Sequence, residues 1–156
     1  KIYYPEFKKL ADDYFFIKHR NETRGIGGIF FDHLSPSGFS IEKEKTIDQI
    51  FDFVKSIAEV FLPAYLPLVK KNKKLPVGKK EKEWQMIRRG RYVEFNLIYD
   101  KGTKFGLETG GRTESILMSL PREANWIYDF KPKKNSPEEK TLKMLRKGID
   151  WVKKKK

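Results

Sequence analysis

Residues 92–99 (YVEFNLIY) alternate with a period of two, which places Val93, Phe95 and Leu97 on one face of an extended segment and Glu94 and Asn96 on the other. A strand with one apolar face needs partners in a sheet, and the residues that follow supply candidates. Asp100, Lys101 and Gly102 read as a turn, 105–107 as a second strand, residues 109–112 (TGGR) as another turn, 115–120 as a third strand and 126–130 as a further one. Connections this short join antiparallel neighbours. The fold class expected is therefore α+β, with a broad antiparallel sheet flanked by helices and present here as a partial domain.

The flanking helices carry their own signals. Phe7, Leu10, Ala11 and Tyr14 fall at helical spacing behind Pro5. A second stripe runs through Ile47, Ile50, Phe51, Val54, Ile57, Ala58 and Phe61 and is expected to stop near Pro63, with 66–71 as a short helix beyond it. Ser136, Pro137 and Glu139 give the cap, first-turn proline and capping-box acid of a last helix that uses Leu142, Leu145 and Ile149. Between these, the aromatic runs 14–17 and 29–31 read as a strand pair joined by the polar link 19–25, with a bulge or close backbone approach at Gly27 and Gly28. Residues 35–45 read as a surface loop, and the Lys-rich stretches 72–83 and 153–156 as solvated connections.

At 156 residues, with no internal repeat, the chain reads as one domain spanning 1–156. Its 34 Lys+Arg against 21 Asp+Glu give a net charge of +13, so a partner held by charge is anionic. With no cysteine, disulfides, thiolate nucleophiles, zinc ribbons and Fe–S clusters are excluded. No run approaches the roughly 20 apolar residues of a membrane span. No signal peptide precedes the first helix, so the expected location is cytoplasmic.

Several residues could carry chemistry. Gly110 and Gly111 followed by Arg112 present backbone N–H groups and a fork-shaped cation, a combination that can cradle a carboxylate or phosphate; the same pattern also fits a hairpin turn with a solvated arginine. His19 lies with Arg20 near Arg24, an electropositive place where a carboxylate could dock. His33 fits a surface turn, and two histidines this far apart do not by themselves build a metal site. The run Arg88, Arg89, Arg91 before aromatic residues could suit nucleic acid, but Phe95 falls on the apolar face.

Residues 14–34 (YFFIKHRNETRGIGGIFFDHL), residues 88–121 (RRGRYVEFNLIYDKGTKFGLETGGRTESILMSLP), residues 64–71 (AYLPLVKK) and the closing IDWV resemble oxygen-dependent coproporphyrinogen III oxidase, over nearly this whole chain and about the C-terminal half of the family's length. The resemblance implies a homodimeric oxidoreductase of haem biosynthesis that converts coproporphyrinogen III to protoporphyrinogen IX. Two of four propionates become vinyl groups, with dioxygen as co-substrate and no organic cofactor. It also implies substrate-binding roles for Gly110, Gly111 and Arg112, and matches His19 to a position proposed as ligand of a divalent metal, in a family many of whose members are metal-independent. Tyr92, Glu94, Asn96 and Ile127 fall in the family's dimerisation region, and Arg24 in a place that supports the fold.

This sequence departs from the family in three respects. The His-x-Asn-x-Arg segment with the proposed proton donor and the Gly-rich Asp-Leu-Thr-Pro segment have no counterpart here, so no catalytic residue is assigned and the chain alone is expected to show no turnover. Position 33, an acid in most relatives, is His, and the loop 35–45 is lengthened. The alternatives are a porphyrinogen-binding or dimerisation module without turnover, and a basic nucleic-acid-binding domain. How the motifs fall disfavours the last, and nucleic acid is not among the expected partners.

Overall fold

The computed structural model describes residues 3–36 and 46–152. Helix α1 spans Tyr4–Tyr14, with Pro5 in its first turn where the missing N–H costs nothing. Phe7 and Ala11 are buried as the spacing predicts, but Leu10 is exposed. The buried face is rotated toward Lys8 and Asp12, which pair with each other one turn apart. Two short strands follow, β1 (Phe16–Ile17) and β2 (Glu22–Thr23), separated by a 3-10 turn at Lys18–Arg20. They pair antiparallel, Phe16 with Thr23 and Ile17 with Glu22, and Asn21 closes the hairpin in the left-handed region at φ 52°.

This hairpin is the whole sheet of the described residues, so the broad antiparallel sheet is not what the chain forms. The expected partner run 29–31 is no strand. Its Phe30 N–H donates to the Phe7 carbonyl at 3.0 Å, and its rings pack on α1, Phe30 on Tyr14 at 4.9 Å and Phe31 on Phe7 at 5.2 Å. The label α+β rests on this hairpin; the regular structure of the described residues is otherwise helical.

Helix α2 covers Ile47–Asn72 and opens with a capping box, in which Gln49 N–H donates to Thr46 Oγ1 and Thr46 N–H to Gln49 Oε1, both at 3.2 Å. It does not stop at Pro63; Pro63 and Pro67 lie inside it. The apolar spacing explains the continuity, because Tyr65 and Leu68 prolong the stripe of Ile57 and Phe61. That stripe stays open: no residue of α2 is buried, and Phe51 and Phe61 are 65% and 62% exposed. Phe53 is the anchor, its ring 4.6 Å from Tyr3 and 5.3 Å from Phe31.

Helix α3, Lys79–Ile98, replaces both the C-terminal end of the Lys-rich link and the strand at 92–99. Its N-terminus is held by Glu81, whose Oε2 accepts from Gly78 N–H at 2.9 Å. The buried positions Ile87, Gly90, Arg91 and Phe95 recur at i, i+3, i+4 and i+8, a helical period. Two of them are Gly and Arg, so hydrophobicity alone hides that period and leaves the local alternation visible. The remaining strands are also absent: 105–107 lies in α4 (Lys101–Glu108), 115–117 in α5 (Thr113–Leu117), and 126–130 has no regular structure. Helix α6, Pro137–Met144, begins as the sequence predicts, with Ser136 Oγ accepting from Glu139 N–H at 3.2 Å, and ends before Ile149. The loop reading falls mostly, and the Lys tail wholly, outside the described residues.

The core is small: Phe7, Ala11, Ile17, Ile87, Phe95 and Leu145. Among the described residues no helix is long and apolar enough to cross a membrane. The segment at Asn125 and Trp126 is pressed on α3 at Gly90, where an added Cβ would stand 2.6 Å from the Asn125 carbonyl oxygen. Gly90→Ala should therefore destabilise the fold by about 1–3 kcal/mol in a thermal melt. Gly28→Ala, whose Cβ meets nothing within 4 Å, should change stability by no more than about 0.5 kcal/mol; equal melting of the two variants contradicts this packing.

Candidate functional site

Glu94, on α3, collects donors from three segments of the chain. Arg20 grips it with both edges, Nε to Oε2 at 2.9 Å and Nη2 to Oε1 at 2.7 Å. Arg91, three residues earlier on the same helix, donates Nη1 to Oε1 at 3.1 Å, and the Trp126 indole N–H reaches the same oxygen at 2.9 Å. His19 Nε2 completes the set at 2.9 Å. An ionised carboxylate only accepts, so Nε2 carries a proton, and in the neutral ring Nδ1 accepts from the Tyr99 hydroxyl 2.8 Å away. Beside this cluster Glu22 of β2 binds Arg88 Nη1 at 2.8 Å and lies 3.5 Å from Arg91 Nε.

Burial pushes the Glu94 carboxyl upward, but the hydrogen bonds from Arg20, His19 and Trp126 and the Arg91 charge outweigh it and hold the group at about 2. Two arginines of the Arg88–Arg91 run are thus turned onto internal carboxylates and leave the basic surface. The same neighbourhood bears on metal binding at His19. Both nitrogens of His19 are engaged, and the carboxylate beside it already carries two guanidinium groups, so the donors present do not fit a divalent cation. Among the described residues no three His, Asp or Glu side chains converge elsewhere to hold one.

A second polar knot joins α1 to the α3–α4 corner. Asp100 caps α4, accepting from Thr103 N–H at 2.8 Å and Thr103 Oγ1 at 2.9 Å, and takes the Tyr14 hydroxyl at 3.0 Å. At the other end of α4 the glycine turn appears, not as a hairpin but as a helix stop. Gly110 is left-handed at φ 72°, and Gly111 N–H donates to the Gly106 carbonyl at 2.9 Å. A Cβ on Gly111 would stand 2.7 Å from that oxygen, so both glycines are required by the turn. Arg112 then opens α5 through its carbonyl, which accepts from Ser115 and Ile116 N–H at 3.0 and 3.1 Å. Its side chain is exposed, and among the described residues the guanidinium makes no ion pair.

The residues matched to dimerisation separate. Asn96 is buried and donates Nδ2 to the Tyr92 carbonyl at 2.8 Å, and Glu94 is engaged as above. Tyr92 is half-buried under the Arg24 guanidinium, and Ile127 is at the surface. His33 is exposed in a left-handed conformation at φ 47°, as a turn residue. No motif signals Glu22, Tyr99 or Trp126; a helical reading of α3 exposes only the Arg91–Glu94 pair, at i, i+3.

Because the Glu94 value lies below its ordinary 4.5, the stabilisation it gives is fully present above about pH 4.5 and is lost as pH falls toward 2. Asp13, held at about 2 by Lys147 and Lys9, adds to the same acid limb from the surface. Melting temperature should thus fall between pH 5 and 2, and Glu94→Gln should both lower the plateau and flatten that fall; a parallel profile contradicts the role of Glu94.

Comparison with known proteins agrees with the sequence resemblance. The family described as coproporphyrinogen III oxidase matches residues 1–151. An oxygen-dependent coproporphyrinogen-III oxidase of Drosophila melanogaster is 57% identical over 152 residues, 96% of this chain and 37% of that protein. The chain thus spans little more than a third of that relative's length, and by both matches it belongs to the coproporphyrinogen III oxidase family.

Proposed function

We propose that this chain is part of an enzyme that oxidatively decarboxylates coproporphyrinogen III to protoporphyrinogen IX with dioxygen. What carries the reading is the 57% identity across 96% of the chain to an oxidase of that name. Each propionate that becomes a vinyl group gives up carbon dioxide, a proton and two electrons. Two such steps match the four electrons that dioxygen accepts on its way to water, so the balance needs no organic redox cofactor. In this reading the protein has to bind and orient a tetracarboxylate rather than supply redox chemistry.

Gly110, Gly111 and Arg112 are proposed to hold a propionate that is retained rather than cleaved. The support is geometric and electrostatic. A helix stop fixes the glycines, and the cation that follows is without a carboxylate partner among the described residues. Burying an unpaired substrate carboxylate would cost several kcal/mol, which a bidentate arginine offsets. His19 is assigned to orienting Glu94. The homodimer through the region of Tyr92, Glu94, Asn96 and Ile127, and the cytoplasmic location, are parts of the same proposal, with Ile127 the exposed member best placed to meet a partner.

Arg112→Ala in the full polypeptide should raise KM for coproporphyrinogen III several-fold or more while leaving kcat within about threefold. An unchanged KM removes Arg112 from the binding site.

A further inference from the structure

Arg24 follows β2, and its guanidinium lies on three aromatic rings, 4.4 Å from the Phe15 centroid, 5.3 Å from Tyr92 and 5.2 Å from Phe95. Stacking of this kind satisfies the face of a guanidinium and leaves the N–H groups at its edge available. Among the described residues no acceptor takes them. Against burial, the hydrogen bonds from Thr103 and Tyr14, with the Arg24 charge adding to them, hold the Asp100 carboxyl below its usual range, but the Asp100 oxygens are already taken by Tyr14 and Thr103. Because this cation is only half-buried, its edge donors are open to water or to an anionic ligand.

Beside Arg24 is a cavity of about 290 Å3, lined by Phe15, Arg24 and residues 25–30 together with Ala11, Asp12 and Thr23. The loop Gly25, Ile26, Gly27, Gly28 runs along it, and among the described residues none of its four backbone N–H groups has an acceptor. The glycines have distinct surroundings. A Cβ on Gly27 would meet Asp12 Oδ1 at 3.3 Å, which keeps this stretch of backbone close to α1, whereas a Cβ on Gly25 or Gly28 would enter open space. A cation with free edge donors next to a row of unengaged N–H groups is the arrangement that receives an oxyanion.

We propose that Arg24 and the N–H groups of residues 25–28 bind a carboxylate of the substrate, a second anchor besides Arg112; the proposal rests on the tetracarboxylate substrate put forward above. One guanidinium matches one negative charge, and the Asp12 charge in the wall is already paired with Lys8, so the single unpaired cation of the site favours a carboxylate over a phosphate dianion.

The test is fluorescence titration of the full polypeptide with coproporphyrin III, the stable oxidised tetra-acid, and with its tetramethyl ester. Arg24→Gln and Gly28→Val should each weaken the tetra-acid about tenfold or more and leave the ester unchanged, with Arg24→Lys intermediate because it keeps the charge but not the fork. Gly28→Val guards against misfolding of the arginine variants, since a Cβ at this position meets no atom within 4 Å. Wild-type affinity in Arg24→Gln and Gly28→Val, or equal losses for acid and ester, overturns the site. Arg112→Ala separates the two proposals. If it alone weakens the tetra-acid, the Arg24 site falls and the Arg112 anchor stands; if only the Arg24 and Gly28 variants do, the reverse holds. Inorganic phosphate displacing the porphyrin more readily than acetate does, with that preference lost in Arg24→Gln, would make this a phosphate site and also overturn the proposal.

Discussion

Glu94 sits where three segments meet, and its carboxylate is the acceptor that each of them needs. Arg20 and His19 bring the β-hairpin to α3, Arg91 holds the carboxylate from within the helix, and Trp126 ties down the long irregular segment after α5. With six apolar residues in the core among the described residues, a cluster of this size matters more than it would in a larger domain. Removing one partner of a buried, hydrogen-bonded ion pair costs about 3–5 kcal/mol, a large share of the stability of a small fold. The cluster also explains why a two-stranded hairpin persists at all, since two strands alone are marginal in water.

The same cluster sorts the arginines. Arg20, Arg88 and Arg91 are committed to Glu22 and Glu94. Arg24 and Arg112 are different: one is seated on aromatic rings beside a glycine loop, the other follows a glycine helix stop, and neither is paired with a carboxylate among the described residues. These two cations keep hydrogen-bonding capacity for an anionic ligand, which is what the proposals above use. The long open stripe of α2 has a separate meaning. Its apolar residues have the spacing of a core helix, and Phe53 is its one anchor on the aromatic cluster of α1.

Much of this was legible in the residues, and what was not has a physical cause. Caps are local, so Pro5 and Ser136 mark helix starts that the structure keeps. The family resemblance likewise rests on long identical-looking runs and needs no fold. Alternation over eight residues suggests a strand, yet it is equally compatible with a helix whose buried positions include Gly90 and Arg91, which carry no hydrophobic signal. A Gly-Gly pair fits a hairpin turn and a helix stop alike, and the Gly111 to Gly106 bond distinguishes them. Glu94 is invisible as a hub because its donors lie up to 75 residues away in sequence.

The central claim is that Arg24 and Arg112, both beside glycine-rich backbone and outside the Glu94 cluster, meet the substrate's carboxylates. A crystal structure of the full polypeptide with coproporphyrin III bound tests it most directly. The account predicts one propionate within hydrogen-bond distance of Arg112, another on Arg24 and the loop 25–28, and the bonds of Arg20 and Arg91 to Glu94 intact. Propionates seated instead on Arg20 or Arg91, with Glu94 released, would contradict it.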